Sequence, residues 1–202
     1  MTGITVVAGR GIPLAGDNID TDRIIPARHL KEITFENMGR YFFQDERFGP
    51  QGQKSHVLND ARFSGGSILI VNKNFGCGSS REHAAHAVKK FGINAIIGES
   101  FSPIFEGNCL SLGIPVVCVS EGDAKSLMAG VGDAPEKEIE IHLDEKNIRF
   151  GGRAINFMMP EQNRKALANG SWNSTEVLMA NAGLVKEVAG RLPYLRNFED
   201  SL

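Results

Sequence analysis

The chain has 202 residues, a formal net charge of −2, 42% hydrophobic and 23% charged residues. That is enough chain for a sizeable core, in the composition of an ordinary globular protein. Near-neutral charge leaves no basic footprint for nucleic acid or an anionic membrane, so small-molecule chemistry or a protein partner is expected.

In chain order, "ITVVAGRGIPL" predicts a strand that breaks at Gly9 to Gly11 and then resumes. "DNIDTDRIIPARHL" follows as a polar loop into a short apolar run. Residues 41–66, rich in Gly and polar side chains and weakly periodic, predict an irregular surface excursion with at most a short helix. "SILIVNK" is a short β-rich run, and "NAIIGES" and "IPVVCVS" are two more, with helical segments between them at "REHAAHAVKKFG" and "PIFEGNCLSLG". This alternation predicts βαβ units with parallel strands. A helix at "GDAKSLMAG", strands around a turn at "EIEIHLD" and "NIRFGGRAINF", and a helix at "PEQNRKALANG" come next. The tail "STEVLMANAGLVKEVAGRL" is helical with a break near Gly183. The whole, 1–202, is expected to be one α/β domain with a core of about 1–157 and a helical extension of about 158–202.

The N-terminus has no basic start followed by an apolar core, so no signal peptide is expected, and no apolar run approaches the roughly 20 residues of a membrane helix. Cys77, Cys109 and Cys118 are odd in number and widely spaced. They argue against a disulfide framework and for a reducing compartment, the cytoplasm.

The sharpest local signal is "NFGCGSSREHAAHAVKKFG", Asn74 to Gly92. Ser79 and Glu82 have the spacing of a capping box. Ala84, Ala87, Val88 and Phe91 form an apolar stripe, and Gly92 stands where a helix commonly closes. Arg81 fits this frame poorly, because a cation in the first turn opposes the helix dipole by roughly 0.3–1 kcal/mol. An anion held at the helix N-terminus would account for it, with Arg81 adding a forked grip and Gly76 and Gly78 allowing close backbone approach. The alternative is that Arg81 turns to solvent or pairs with Glu82 or Glu106. The Walker and dinucleotide-binding patterns are both absent, so a carboxylate is at least as good an anion as a phosphate.

Other features are weaker. "DNIDTD" packs Asp17, Asp20 and Asp22 together, but Ile19, Arg23 and Arg28 stand where a calcium loop needs an oxygen ligand, a glycine and a glutamate. It is either a solvated turn or a functional loop. His83 and His86 are three apart on a helix, without the glutamate of a metalloprotease motif. Cys118 belongs in an apolar strand; Cys77, between two glycines, is the more exposed thiol. The cysteines show none of the close C-x₂-C runs of many iron–sulfur sites.

"NFGCGSSREHA" resembles the signature of the swivel domain in the aconitase superfamily, and "NIDTDRIIPARHL" and "ESFSPIFEGNCLSLGIPVV" match two further blocks of it. The resemblance is strong over residues 5–120 and looser over "ALANGSWNSTEVLMANAG". A chain of this length with these blocks is similar to the small subunits of 3-isopropylmalate dehydratases; Cys77, where aconitases often carry an acidic residue, points to that branch.

The resemblance implies a swivelling β/β/α domain with parallel βαβ units and a helical C-terminal appendage, docked on a larger subunit. It implies no cofactor and no metal ligand in this chain; a [4Fe–4S] cluster is expected on the large subunit. The implied reaction is a hydro-lyase isomerisation of 2-isopropylmalate, a small dicarboxylate, in leucine biosynthesis. By motif position Ser79 corresponds to the catalytic base, Ser80 and Arg81 to the carboxylate binders and Asp22 to the active-site aspartate, with Asp20, Thr21 and Gly78 as further substrate contacts. Just beyond Asp22, Leu30 and Ile33 are expected to wall the substrate's side chain while Lys31 and Glu32 face out. Ser79 is then asked both to cap a helix and to act as a base. The alternatives are a subunit of a related diacid hydratase (citraconate, methylmalate, dimethylmalate or homoaconitate type) and a stand-alone anion-binding regulatory module.

Overall fold

The computed structural model describes residues 3–196. Strand β1 (Val6–Leu14) is followed by three one-turn helices, α1 (Thr21–Ile24), α2 (Met38–Tyr41) and α3 (Gln44–Arg47). A two-residue ribbon, β2 (Phe48–Gly49) with β3 (Gly52–Gln53), comes next. The alternating part runs β4 (Ile68–Val71), α4 (Glu82–Phe91), β5 (Ala95–Gly98), α5 (Pro103–Ser111), β6 (Val116–Cys118) and α6 (Glu121–Asp133). Strands β7 (Glu138–His142), β8 (Asn147–Phe150) and β9 (Arg153–Asn156) lead to helices α7 (Glu161–Asn169), α8 (Ser174–Ala180) and α9 (Ala182–Arg191).

The main sheet has the order β6-β5-β4-β1-β7-β8-β9. Strands β6, β5, β4 and β1 pair in parallel, as the strand–helix alternation predicts, and β1, β7, β8 and β9 pair antiparallel. Burial follows this division. Every residue of β4 and β5 is buried, as in a parallel sheet covered on both faces, whereas β7 buries only alternate residues. Helix α6 packs across β1 and β4.

Strand β1 does not break at Gly9 to Gly11. Its first half, Val6–Arg10, pairs with β7, and its second half, Gly11–Leu14, pairs with β4. The glycines serve close packing instead: a Cβ on Gly11 would lie 2.8 Å from Val131 and 2.9 Å from Ile139. The excursion at residues 41–66 is also more ordered than its periodicity suggests. It follows α2 and, besides α3 and the ribbon, holds 3₁₀ turns at Val57–Asn59 and Ala61–Phe63. Together with α2 it packs into the common core, with Met38, Phe42 and Phe43 fully buried, and Arg47 lies over the rings of Phe48 and Phe91. These contacts are tertiary, so helical or strand periodicity does not reveal them. In the tail the break falls at Asn181, between α8 and α9.

Candidate active site

The loops that leave the carboxyl ends of β1, β4 and β5 run side by side. That is where ligands bind in open α/β sheets. Asn18 N–H donates to Lys73 O, Gly76 N–H to Ile19 O and Thr21 N–H to Cys77 O, at 2.8, 2.8 and 2.9 Å. On the other side Phe75 N–H donates to Ser100 O and Ser102 N–H to Phe75 O, at 3.1 and 3.0 Å. The three blocks that are far apart in sequence are therefore one hydrogen-bonded unit. Asn72 locks its base: the buried side chain accepts from Gly16 N–H at 2.9 Å and donates to Glu99 at 3.0 Å. Sequence reasoning passed over Asn72; its only signal is a polar residue directly after four buried apolar ones.

Helix α4 begins at Glu82, with Arg81 in extended conformation as its N-cap and no side-chain cap hydrogen bond. The expected capping box, with Ser79 at the N-cap, is not formed. The reason is tertiary. Thr21 Oγ1 accepts from Ser79 N–H and donates to Ser79 O, both at 3.2 Å, and Ser79 O also accepts from Arg81 N–H at 2.8 Å. The Ser79 backbone is thus held to the loop after β1, and the chain reaches helical conformation only after Arg81. Ser79 and Ser80 are exposed in this turn and the conflict between capping and base does not arise. Gly78 has φ 93° and Gly76 φ 75°, and a Cβ on Gly76 would run into Phe105. Glycine is required there by conformation and space together.

Arg81 pairs with Asp22, through Nη1 and Oδ1. It does not pair with Glu106, which accepts from Asn163 Nδ2 at 2.8 Å. Asp20 caps α1, accepting from Arg23 N–H at 2.8 Å. Thr21 is 1% exposed. Of the expected site residues, Asp20, Thr21, Asp22, Gly78, Ser79, Ser80 and Arg81 are thus brought to one place at the uncapped start of α4. Leu30 lies half-buried on the 3₁₀ turn Ala27–Lys31, and Ile33 is 98% exposed. Further along, the Phe35 ring stacks on His86 of α4 at 3.6 Å and meets His83 edge-on at 5.1 Å. Burial lowers the His86 pKa from its ordinary value.

The thiols do not form a ligand set. Cys109 is fully buried, and burial, with Glu106 nearby, pushes its pKa well up; burial also raises that of half-buried Cys118. Among the described residues no three His, Cys, Asp or Glu side chains come together as metal ligands. The surface cleft lined by His56, Asn59, Asp60 and Phe63 involves none of the site residues.

A family model described as the aconitase C-terminal domain matches residues 1–121. The chain is 46% identical over 196 residues to the 3-isopropylmalate dehydratase small subunit of Thermus thermophilus, covering 96% of this chain and 98% of that one. It is 39% identical over 195 residues to the protein of the same name from Synechocystis, covering 96% of each. A crystal structure of 3-isopropylmalate dehydratase from Methanocaldococcus jannaschii shares the fold, with a TM-score of 0.64 at 24% identity over 88% of this chain and 99% of that one.

Proposed function

Because this chain belongs to the aconitase C-terminal domain family and to its 3-isopropylmalate dehydratase small subunits, we propose that it completes a two-chain hydro-lyase that isomerises 2-isopropylmalate to 3-isopropylmalate. The partner is a large subunit carrying a [4Fe–4S] cluster, and the setting is leucine biosynthesis in the cytoplasm, where free cysteines such as these stay reduced. The observation that carries the site assignment is the convergence of the exposed Ser79 and Ser80, and of Arg81, with Asp22 at an uncapped helix start.

Each half-reaction removes or returns a proton on one carbon and a hydroxyl on its neighbour. The cluster would supply the Lewis acid for the hydroxyl. Ser79 Oγ takes the proton from the carbon beside a carboxylate and returns it to the other carbon on rehydration. A serine is a poor base unless its alkoxide is stabilised, and the free N–H groups at the start of α4 and the Arg81 guanidinium are donors of the required kind. Arg81 and Ser80 hold a substrate carboxylate, with Gly78 giving it access to the backbone; Asp22 stands beside Arg81 as the active-site aspartate, with Asp20 next to it at the start of α1. Carboxylate binding requires Arg81 to exchange its Asp22 partner for the substrate. Leu30 and Ile33 meet the isopropyl group, a role that suits an isoleucine left almost fully in solvent.

The test is co-expression with the cluster-bearing chain and an assay on 2-isopropylmalate. Turnover is expected, with kcat falling by at least about 100-fold in Ser79→Ala, since a group used in the transition state is removed. An assembled complex that ignores 2-isopropylmalate but hydrates another small diacid would favour the related hydratases. Unchanged kcat in Ser79→Ala would place the base elsewhere. In the same assay Leu30→Ser should lower kcat/KM for 2-isopropylmalate more than for a methyl analogue, by roughly 10-fold or less, as expected for alkyl contacts. Equal losses would remove Leu30 from the side-chain pocket.

A further inference from the structure

We propose that Thr21 is a positioning residue that sets Ser79 through a buried hydroxyl and does not itself touch the substrate. The inference rests on the assignment of Ser79 as the base. Thr21 and Asn72 are the buried polar residues of the described core. Asn72 ties the loops at their base, and Thr21 ties them at the reacting end. Its Oγ1 lies 3.2 Å from both Ser79 N and Ser79 O, donating to one and accepting from the other. Only a hydroxyl can do both with a single atom. The β-branched side chain adds a stiff χ1, which fixes where that atom stands. Thr21 is anchored in turn by its own backbone, through Thr21 N–H to Cys77 O at 2.9 Å and Ile25 N–H to Thr21 O at 3.0 Å.

Burial separates this role from substrate contact. At 1% exposure Thr21 offers no surface to a ligand, whereas Ser79, Ser80 and Gly78 are exposed. The clamp holds Ser79 N and O on either side of Cα, so it sets the direction of the Cα–Cβ bond from which Oγ projects, and a displacement of about 1 Å at a reacting group lowers rates by roughly 100-fold. Removing the hydroxyl leaves an exposed turn whose N–H and C=O can turn to water. The loss therefore falls on geometry more than on folding.

The clean variant is Thr21→Val, which keeps shape and both backbone bonds but removes the hydroxyl; Thr21→Ser restores it. In the assembled enzyme Thr21→Val should lower kcat by about 10–100-fold with KM within about 3-fold, because the Arg81 grip is untouched. Thr21→Ser should recover most of the rate. In the free subunit amide hydrogen exchange at Ser79 should accelerate in Thr21→Val and not in Thr21→Ser, while exchange in β4 and β5 stays unchanged. Wild-type kcat in Thr21→Val beside a dead Ser79→Ala overturns the inference, as does a Thr21→Val chain that no longer folds. If Ser79→Ala is itself fully active, it is the assignment of Ser79 that fails. Unaltered Ser79 exchange in Thr21→Val would separately remove the clamp.

Discussion

At the scale of single residues, Arg81 was legible as a misfit. A cation at the positive end of a helix asks for an anion, and the structure supplies one from the chain itself, Asp22. That partner is 59 positions away and nothing local announces it. The same holds for Thr21, whose hydroxyl meets the Ser79 backbone across 58 positions. The residue types are legible in the sequence; their bonding roles are hidden because each is a contact between loops. The Arg81–Asp22 pair also fixes an expectation for stability. Arg81 is one-fifth exposed and Asp22 more than half, so their pairing contributes about 0–1 kcal/mol. Removing the cation relieves an opposing dipole term of about 0.3–1 kcal/mol. These nearly cancel, so Arg81→Ala should leave the free subunit within about 1 kcal/mol of wild type by urea unfolding. In the assembled enzyme Arg81→Lys should raise KM, because a point charge cannot reproduce a forked grip. A stability loss above about 2 kcal/mol would make Arg81 a structural residue, since surface changes rarely cost so much.

Among the elements, the strands and helices of the βαβ region were readable because burial on both faces writes continuous apolar runs such as Ile68–Val71, and α4 ends at Gly92, with φ 107°, as expected. The start of α4 was misread because "SSRE" is a valid local cap that a tertiary clamp overrides. The glycines of β1 read locally as punctuation, whereas Gly11 answers to Val131 and Ile139 and Gly9 to Ser67, all on other segments. Helix α4 also carries a pH-sensitive contact. Burial lowers the His86 pKa, with His83 and Lys90 pushing the same way and Glu82 opposing. A histidine with a depressed folded pKa contributes stability that is complete above its ordinary value of about 6.5 and is lost as pH falls through the folded value. His56 is shifted in the same direction by burial, against the pull of Glu46. The unfolding free energy should therefore decline between pH 7.5 and 5, by at most about 1.4 kcal/mol per pH unit for each proton taken up. His86→Phe keeps a ring against Phe35 and should flatten that decline without abolishing it, because His56 remains. An unchanged slope in denaturant titrations at pH 7.5, 6.5 and 5.5 would show that His86 does not titrate with folding.

Across the whole molecule, parallel pairing brings three distant blocks together at one edge of the sheet. Once β1, β4 and β5 run the same way, the loops at residues 15–20, 72–81 and 99–102 must leave from the same edge. The sequence marked the helical tail but not how little of it packs. Core packing continues through Leu167, whose carbonyl accepts from Ile4 N–H at 2.8 Å, and through Trp172. A Cβ on Gly113 would lie 2.7 Å from the Trp172 ring, so that glycine makes room for the indole. Beyond it the pattern changes. Leu178, Met179, Leu184, Val185 and Val188 are each at least half exposed, and α9 buries no residue. Stability follows buried apolar area, at about 25 cal/mol per Å², so helices that bury little contribute little. A chain ending at Asn173 should therefore unfold within about 1 kcal/mol of the full-length free subunit, whereas Trp172→Ala in the full-length chain should cost about 2–4 kcal/mol through the cavity it leaves beside Gly113. Urea unfolding followed by far-UV circular dichroism measures both. If truncation costs as much as the tryptophan substitution, α8 and α9 are part of the cooperative unit, and their exposed apolar faces are not idle in the free chain.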